Sequence, residues 1–311
     1  MKTFKSILEF QKEFGTEEQC RKFLEVQRWG NTPACVFCGS LNVHRFPNGK
    51  IFKCREKGCR QKFSVTVGSI YENSKLPLTK WFLATYILGV HSKGISSLQL
   101  ATWLNVTQKT AWHLNHRIRA MLTNTAPEQL ENIVEVDEVY IGGLESNKHK
   151  SKRKIKGGTG NKTMVLGAIQ RGGKLKTKVI LKTDIENVSK VIKEFIVPES
   201  IMVTDESNAY NRLNEDYDHR KVNHRDAEYV RQELDIKVHT NSIEGYWNIL
   251  RKQLDGIHHS VSPKHLQRYC DENAFRYNNR EAFQDERFEI VIKNCNVTLP
   301  YKELIGKQET K

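Results

Sequence analysis

The chain has 311 residues, a formal net charge of +14 and 38% hydrophobic residues, enough for two or three domains with ordinary apolar cores. The excess of Lys and Arg favours a polyanionic partner, drawn by long-range Coulomb attraction and counterion release, and so points to nucleic acid. No apolar run of the length a bilayer demands and no basic amphipathic anchor occurs, which excludes a helical membrane protein.

In chain order, residues 1–30 carry Phe4, Ile7, Leu8, Phe14, Cys20, Phe23, Leu24 and Trp29 at roughly helical spacing. Cys35, Cys38, Cys54 and Cys59 follow, written CVFC and CREKGC. Two close pairs around a strand-forming stretch is the spacing of a tetrahedral zinc site built from two knuckles. Gly39, Gly58 and the turn Pro47-Asn48-Gly49 fit that design, with strands expected at 43–46, 51–54 and 62–66. The second pair is the looser match, because four residues separate its cysteines. A module this small buries too little apolar surface to fold alone, so Zn²⁺ is expected to be structural. Cys20, Cys270 and Cys295 are single and scattered, and no secretory signal opens the chain. That pattern suits a reducing cytosol rather than disulfides.

Residues 75–123 read as helical. Trp81, Leu83, Ala84, Ile87 and Leu88 suit one helix, Ser96-Ser97 can cap a second, and Thr107 can cap a third after the turn at Asn105-Val106. The last two form a helix-turn-helix pattern, with Lys109, Thr110, His113 and Arg117 of its second helix as candidate base readers. A plain helical linker is the rival reading.

From residue 131 the period drops towards two. Strands are expected at 133–141, 164–170, 175–182 and 200–204, with a helix at 184–195, which suggests a mixed sheet with a crossover. Further helices are expected at 240–255 and 263–278, and the polar tail after Leu299 reads as loose. Residues 146–160, SNKHKSKRKIKGGTG, hold basic residues and no acid; Lys152, Arg153 and Lys154 are candidate phosphate contacts there.

Asp137 lies in VEVDEVYIGG among apolar residues, and Asp205 ends IMVTDES. Acids at buried strand ends are costly unless compensated, and two from different strands can converge on Mg²⁺ or Mn²⁺. In HTNSIEGYWNILRKQL, Ile243, Trp247, Leu250 and Leu254 make an apolar stripe with Glu244 and Arg251 at its edge. A structural rival exists here too: Asn241 as N-cap and Glu244 three residues on would form a capping box.

The cysteine ribbon, the helix-turn-helix, VDEVYIGG, TDESNAY and HTNSIEGYWNILRK occur in that order, and in this the chain resembles the zinc-ribbon insertion-sequence transposases of the ISXO-like group over residues 15–285. The resemblance implies an α/β fold: an RNase H-like mixed sheet flanked by helices, preceded by a zinc ribbon and a helix-turn-helix region. It implies domains at 1–72, 73–130 and 131–285, with a C-terminal tail at 286–311. Asp137 and Asp205 match the two aspartates of a DDE-type site. Asn241 or Glu244 fills the third role, and Glu244 is favoured because an anionic oxygen is the better Mg²⁺ ligand. Arg251 falls where a basic residue follows that Glu. Glu272 and Arg276 match part of a Glu-and-arginines pattern in the next helix, while Asn279 and Arg280 depart from it. Implied cofactors are Zn²⁺ and Mg²⁺ or Mn²⁺. Implied partners are double-stranded DNA, both element ends and target, and further copies of the chain assembled on it, in the cytoplasm on the nucleoid. The implied activity is transposition by strand cleavage and strand transfer. Alternatives are a catalytically silent DNA-binding regulator derived from a transposase, or a nuclease or resolvase on the same core.

Overall fold

The computed structural model describes residues 3–123, 128–143, 149–152, 162–181, 184–206, 210, 213, 216–223, 230–233 and 236–306. The chain divides into two compact units, Met1–Thr123 with Asn279–Lys311, and Asn124–Asn278. No helix among the described residues is long and apolar enough to cross a membrane.

The first unit opens with helices α1 (Ile7–Glu13) and α2 (Glu17–Trp29). Thr16 and Gln19 form a capping box at the start of α2, satisfying backbone N–H groups that the helix leaves unpaired. A three-stranded antiparallel sheet follows, β1 (Val43–Arg45), β2 (Ile51–Cys54) and β3 (Lys62–Ser64). Then come α3 (Leu78–Val90), α4 (Ser97–Leu104) and α5 (Gln108–Leu122). Ser96 and Thr107 accept the first-turn N–H groups of α4 and α5, and Asn105 takes the left-handed conformation (φ 48°) that turns the chain between them.

The end of the chain differs from the separate tail expected at 286–311, loose after Leu299. Helix α9 (Gln284–Lys293) places Phe288 among Phe4, Phe10, Phe14, Phe23 and Phe82, with ring centroids about 5–6 Å apart. The short α10 (Tyr301–Leu304) follows, and Leu299 and Leu304 are buried. The cause is apolar spacing: Phe288, Val291 and Ile292 recur at three and four residues and make a stripe that must be covered. Arg28 of α2 donates from Nε to the Asn296 side-chain oxygen (2.7 Å) and from Nη1 to the Val67 carbonyl (2.9 Å), tying the ribbon's exit to this returning segment.

The second unit is built on β4 (Ile133–Ile141), β5 (Thr163–Gln170), β6 (Leu175–Ile180), β7 (Ile201–Thr204) and β8 (Asp218–Lys221). Their order across the sheet is β6-β5-β4-β7-β8. The first three are antiparallel, whereas β7 pairs in parallel with β4 and with β8. Helix α6 (Ile185–Phe195) makes the crossover that parallel pairing needs. Three antiparallel strands followed by two parallel ones, with the first strand at the centre, is the RNase H-like arrangement. A small hairpin, β9 (Arg231–Glu233) and β10 (Ile236–Val238), leads to α7 (Asn241–Gln253) and α8 (Pro263–Asn278).

The central strand β4 shows how period-two patterning works here. Val134 and Val136 join Leu166, Ala168, Val188 and Ile192 in the core under α6. Val139 joins Val165, Ile169, Ile243, Trp247 and Leu250 in the core under α7. Glu135 and Asp137 therefore share the α7 face, and Glu138 takes the other.

Candidate functional site

The four cysteine sulfurs all lie within 4.8 Å of one another. Cys35 and Cys59 are 3.7 Å apart, and Cys38 and Cys54 3.6 Å. A tetrahedron of Zn–S bonds of about 2.3 Å has edges of about 3.8 Å, so the donor set fits Zn²⁺. Both knuckles close alike: the residue after the second cysteine, Gly39 in one and Arg60 in the other, has positive φ (74° and 50°). The looser CREKGC pair thus forms the same turn. Trp29, Phe52 and Phe63 supply the ribbon's small core. Burial pushes the Cys54 thiol up to about 12, while backbone N–H groups outweigh burial at Cys35 and draw it down to about 7. A dication removes that inequality by holding every sulfur as thiolate.

In the second unit, Asp137 stands mid-way along β4. Burial, then the charges of Glu138 and Asp205, push its carboxyl up to about 7, against the opposing hydrogen bonds of the Glu138 N–H and the Trp247 indole. The indole Nε1 donates to Asp137 Oδ2 at 3.0 Å. Glu138 is also raised, chiefly by burial, and Tyr210 donates its hydroxyl to that carboxylate. Asp205 follows β7, which pairs with β4. The acidic end of the sheet therefore gathers charge that repels itself, the electrostatic condition a divalent cation relieves. Among the described residues, Asp137, Asp205 and Glu244 do not form a set of oxygens mutually within 4.8 Å; the cysteines alone form such a cluster.

Helix α7 does not begin with the capping box that Asn241 and Glu244 suggested. Asn241 is its first helical residue after Thr240, and Thr240 donates from Oγ1 to Glu244 at 2.9 Å. The first-turn N–H groups go instead to Glu135, a carboxylate with no solvent exposure on β4. Glu135 accepts from the backbone N–H of Ser242 (2.8 Å) and Ile243 (3.1 Å) and from the Ser242 hydroxyl (3.0 Å). Arg171, in the turn between β5 and β6, neutralises it at 2.8 Å and donates to the His239 carbonyl at 2.9 Å. An anion at a helix N-terminus meets both the unpaired N–H groups and the helix dipole. Glu135 was not singled out from the sequence, although a second acid two residues before Asp137 was the available signal.

Asn241, Glu244 and Arg251 are exposed on α7. At about 100° per residue, Glu244 and Arg251 lie roughly 60° and 40° from Trp247 around the helix, and Asn241 about 120° away. Glu244 and Arg251 thus lie on the same side of the residue that touches Asp137, one about a turn before it and the other about a turn after it along the helix. In α8, Arg276 forms a buried ion pair with Glu272, the part of the family pattern that this chain retains.

The helix-turn-helix residues divide. Lys109 is exposed, its Nζ 6.0 Å from the Tyr301 ring centre. Thr110 shares a hydroxyl contact of 2.8 Å with the cap Thr107. His113 is half-buried against Tyr301, and burial, followed by the Arg117 charge, lowers its pKa. Arg117 departs from the expected base-reading role. Its guanidinium donates to the Glu72 carbonyl (3.0 Å), lies 5.0 Å over the Trp81 ring, and is 9% exposed. Lys152 ends a short turn, Lys150–Lys152; its side chain, Arg153 and Lys154 lie outside the described residues.

A four-cysteine ribbon, a pair of helices joined by a tight turn, and an RNase H-like unit with acids on its central strand are the parts expected of a DNA transposase. Residues 129–278 match the model of the ISXO2-like transposase domain, and residues 15–62 match that of the transposase zinc-ribbon domain. It is 29% identical over 288 residues to a protein described as "Uncharacterized protein in transposable element ISH50" from Halobacterium salinarum, covering 88% of this chain and 94% of that one. Among solved structures it is similar to the Mos1 strand transfer complex (TM-score 0.20, 12% identity, 64% of this chain and 73% of that chain). It is also similar to a pre-cleavage Mos1 transpososome (TM-score 0.19, 14% identity, 94% and 97%). The strand order, not these two likenesses, carries the fold.

Proposed function

We propose that the chain is an active DDE-type transposase that binds the terminal inverted repeats of its own element, cuts DNA at the element ends, and joins the 3′-hydroxyls to target DNA. The observation that carries this reading is the Asp137 carboxyl, half-buried on the central strand and pushed up to about 7 by burial and by the acids Glu138 and Asp205. A chain that only bound DNA would gain nothing from this self-repelling cluster.

Asp137 and Asp205 would hold Mg²⁺ or Mn²⁺, with Glu244 as the third ligand and Asn241 as its alternative. When bound, such ions activate an attacking oxygen and stabilise the leaving oxygen of a phosphodiester. In cleavage, the water oxygen bonds to phosphorus and the bond from phosphorus to the 3′ oxygen breaks. In joining, the freed 3′-hydroxyl attacks a target phosphodiester in the same manner. Asp137 must be ionised to serve, so its protonation limits the site below about pH 7. Arg251, beside Trp247 on α7, is suited to a DNA phosphate. The zinc ribbon and α5 would bind the repeats, with Lys109 the exposed basic contact, and Lys152, Arg153 and Lys154 would hold phosphates near the acids. Two ends must be held together, so a homo-oligomer assembled on DNA is part of the reading, as is a place on the nucleoid in the cytoplasm.

The test is Mg²⁺-dependent nicking of a labelled repeat-end duplex. Asp137→Asn and Asp205→Asn are each expected to reduce it at least about a thousandfold with end binding retained. Normal cleavage by either variant would refute the site. Glu244→Gln against Asn241→Ala separates the two candidates for the third position, the first expected to be the more damaging.

A further inference from the structure

We infer that Trp247 is a positioning residue that orients Asp137 for its cation, and that Gly167 is the cradle that lets it do so. The inference rests on Asp137 being a cation ligand. Three features of the geometry support it. The indole Nε1 donates to Asp137 Oδ2 at 3.0 Å, so one oxygen of the carboxylate has a fixed donor. The strand residue directly opposite Asp137 is Gly167 of β5. A Cβ at position 167 would stand 2.5 Å from Cη2 and 2.6 Å from Cζ2 of Trp247, and 3.0 Å from Cδ1 of Ile243. No real Cβ contact is that short, so the ring occupies the space that every other residue at 167 would fill.

The arrangement reaches further than one hydrogen bond. Trp247 is 2% exposed and is held by the core of Val139, Val165, Ile243 and Leu250, so its ring cannot swing to follow a mobile carboxylate. It stands three residues after Glu244 and four before Arg251, so the three lie within about 60° of one another around α7. One indole therefore fixes the rotamer of Asp137 and the distance from β4 to the helix that bears the third candidate ligand. Such outer partners orient metal ligands, and losing one typically weakens metal binding about 10- to 100-fold.

The test is Mn²⁺ affinity of the zinc-loaded full-length chain, read by electron paramagnetic resonance of free Mn²⁺ and by quenching of tryptophan emission. Trp247→Phe keeps a ring on Gly167 but removes the donor. Its Mn²⁺ dissociation constant is expected to rise about tenfold with the melting temperature within a few degrees of wild type, and the Mn²⁺-quenched emission component should vanish. Gly167→Ala keeps the donor but displaces the ring, and is expected to weaken Mn²⁺ in the same direction; it decides the matter if Trp247→Phe does not fold. Wild-type Mn²⁺ affinity in both variants would overturn the inference, as would loss of melting temperature alone, since that is the signature of simple packing. Asp137→Asn is the control for the underlying reading. If it binds Mn²⁺ normally, the cation site itself is wrong; if it loses Mn²⁺ while both other variants keep it, only the positioning role falls.

Discussion

On the proposed reading, the zinc ribbon and the acidic site solve the same problem, holding a cation, in opposite ways. In the ribbon, four ligands come from 25 residues of chain and stand at tetrahedral spacing through two matching turns. In the RNase H-like unit, the acids are spread over more than a hundred residues of chain, and Asp137, Asp205 and Glu244 are not drawn into one cluster among the described residues. A structural metal site must be closed, because binding energy is folding energy there. A catalytic one must leave room for substrate, and the proposed ligands here would be set by outer contacts such as Glu135 with the start of α7 and Trp247 with Asp137.

The contrast breaks first, and hardest, at the metal. Cys38→Ser or Cys54→Ser should remove zinc and unfold the ribbon, because a structural zinc contributes on the order of 10 kcal/mol. Elemental analysis and hydrogen exchange across 35–64 would read this. Zinc-free wild-type protein with a protected ribbon would contradict it. The acidic site should show the reverse: chelating Mg²⁺ stops cleavage and leaves exchange protection of the sheet unchanged.

Glu135→Ala tests whether α7, the helix that bears the proposed third ligand, is docked by a buried charge. It leaves Arg171 without its carboxylate and two N–H groups at the start of α7 without an acceptor, so a loss of about 3–5 kcal/mol in urea unfolding is expected. An unchanged midpoint would mean that α7 is held by its apolar stripe alone.

The smallest effect separates two basic residues of α5. Lys109→Ala should weaken repeat-end binding modestly and lower the slope of log affinity against log salt by about 1. Arg117→Ala should lower stability instead, since its guanidinium is bound to the Glu72 carbonyl and the Trp81 face. Equal loss of salt slope in both would return Arg117 to the DNA.

What was legible in the sequence was whatever one element's own spacing fixes. The alternation of Val134 and Val136 against Asp137 and Val139 marked β4, and Ser96 and Thr107 marked the starts of α4 and α5. What was hidden depended on register and on returning chain. Glu135 meets Arg171 and Ser242 only once β4, β5 and α7 are assembled. Gly167 means nothing until it stands opposite Asp137. The capping box failed because a carboxylate from another element reached the same N–H groups. Arg117 was misjudged by its charge alone: it lies three residues after Leu114 and four before Met121, on the buried stripe of α5. Phe288, Val291 and Ile292 carried a helical signal that the polar residues around them concealed.

The most direct measurement of the central claim is Mn²⁺ affinity against pH for wild type and Asp137→Asn. A carboxyl near pKa 7 must lose its proton to accept a cation, so wild-type affinity should rise about tenfold per pH unit below about 7 and level off above it. The variant should bind weakly and without that rise. Affinity independent of pH from 5 to 8, or an Asp137→Asn variant that follows the wild-type curve, would contradict the account.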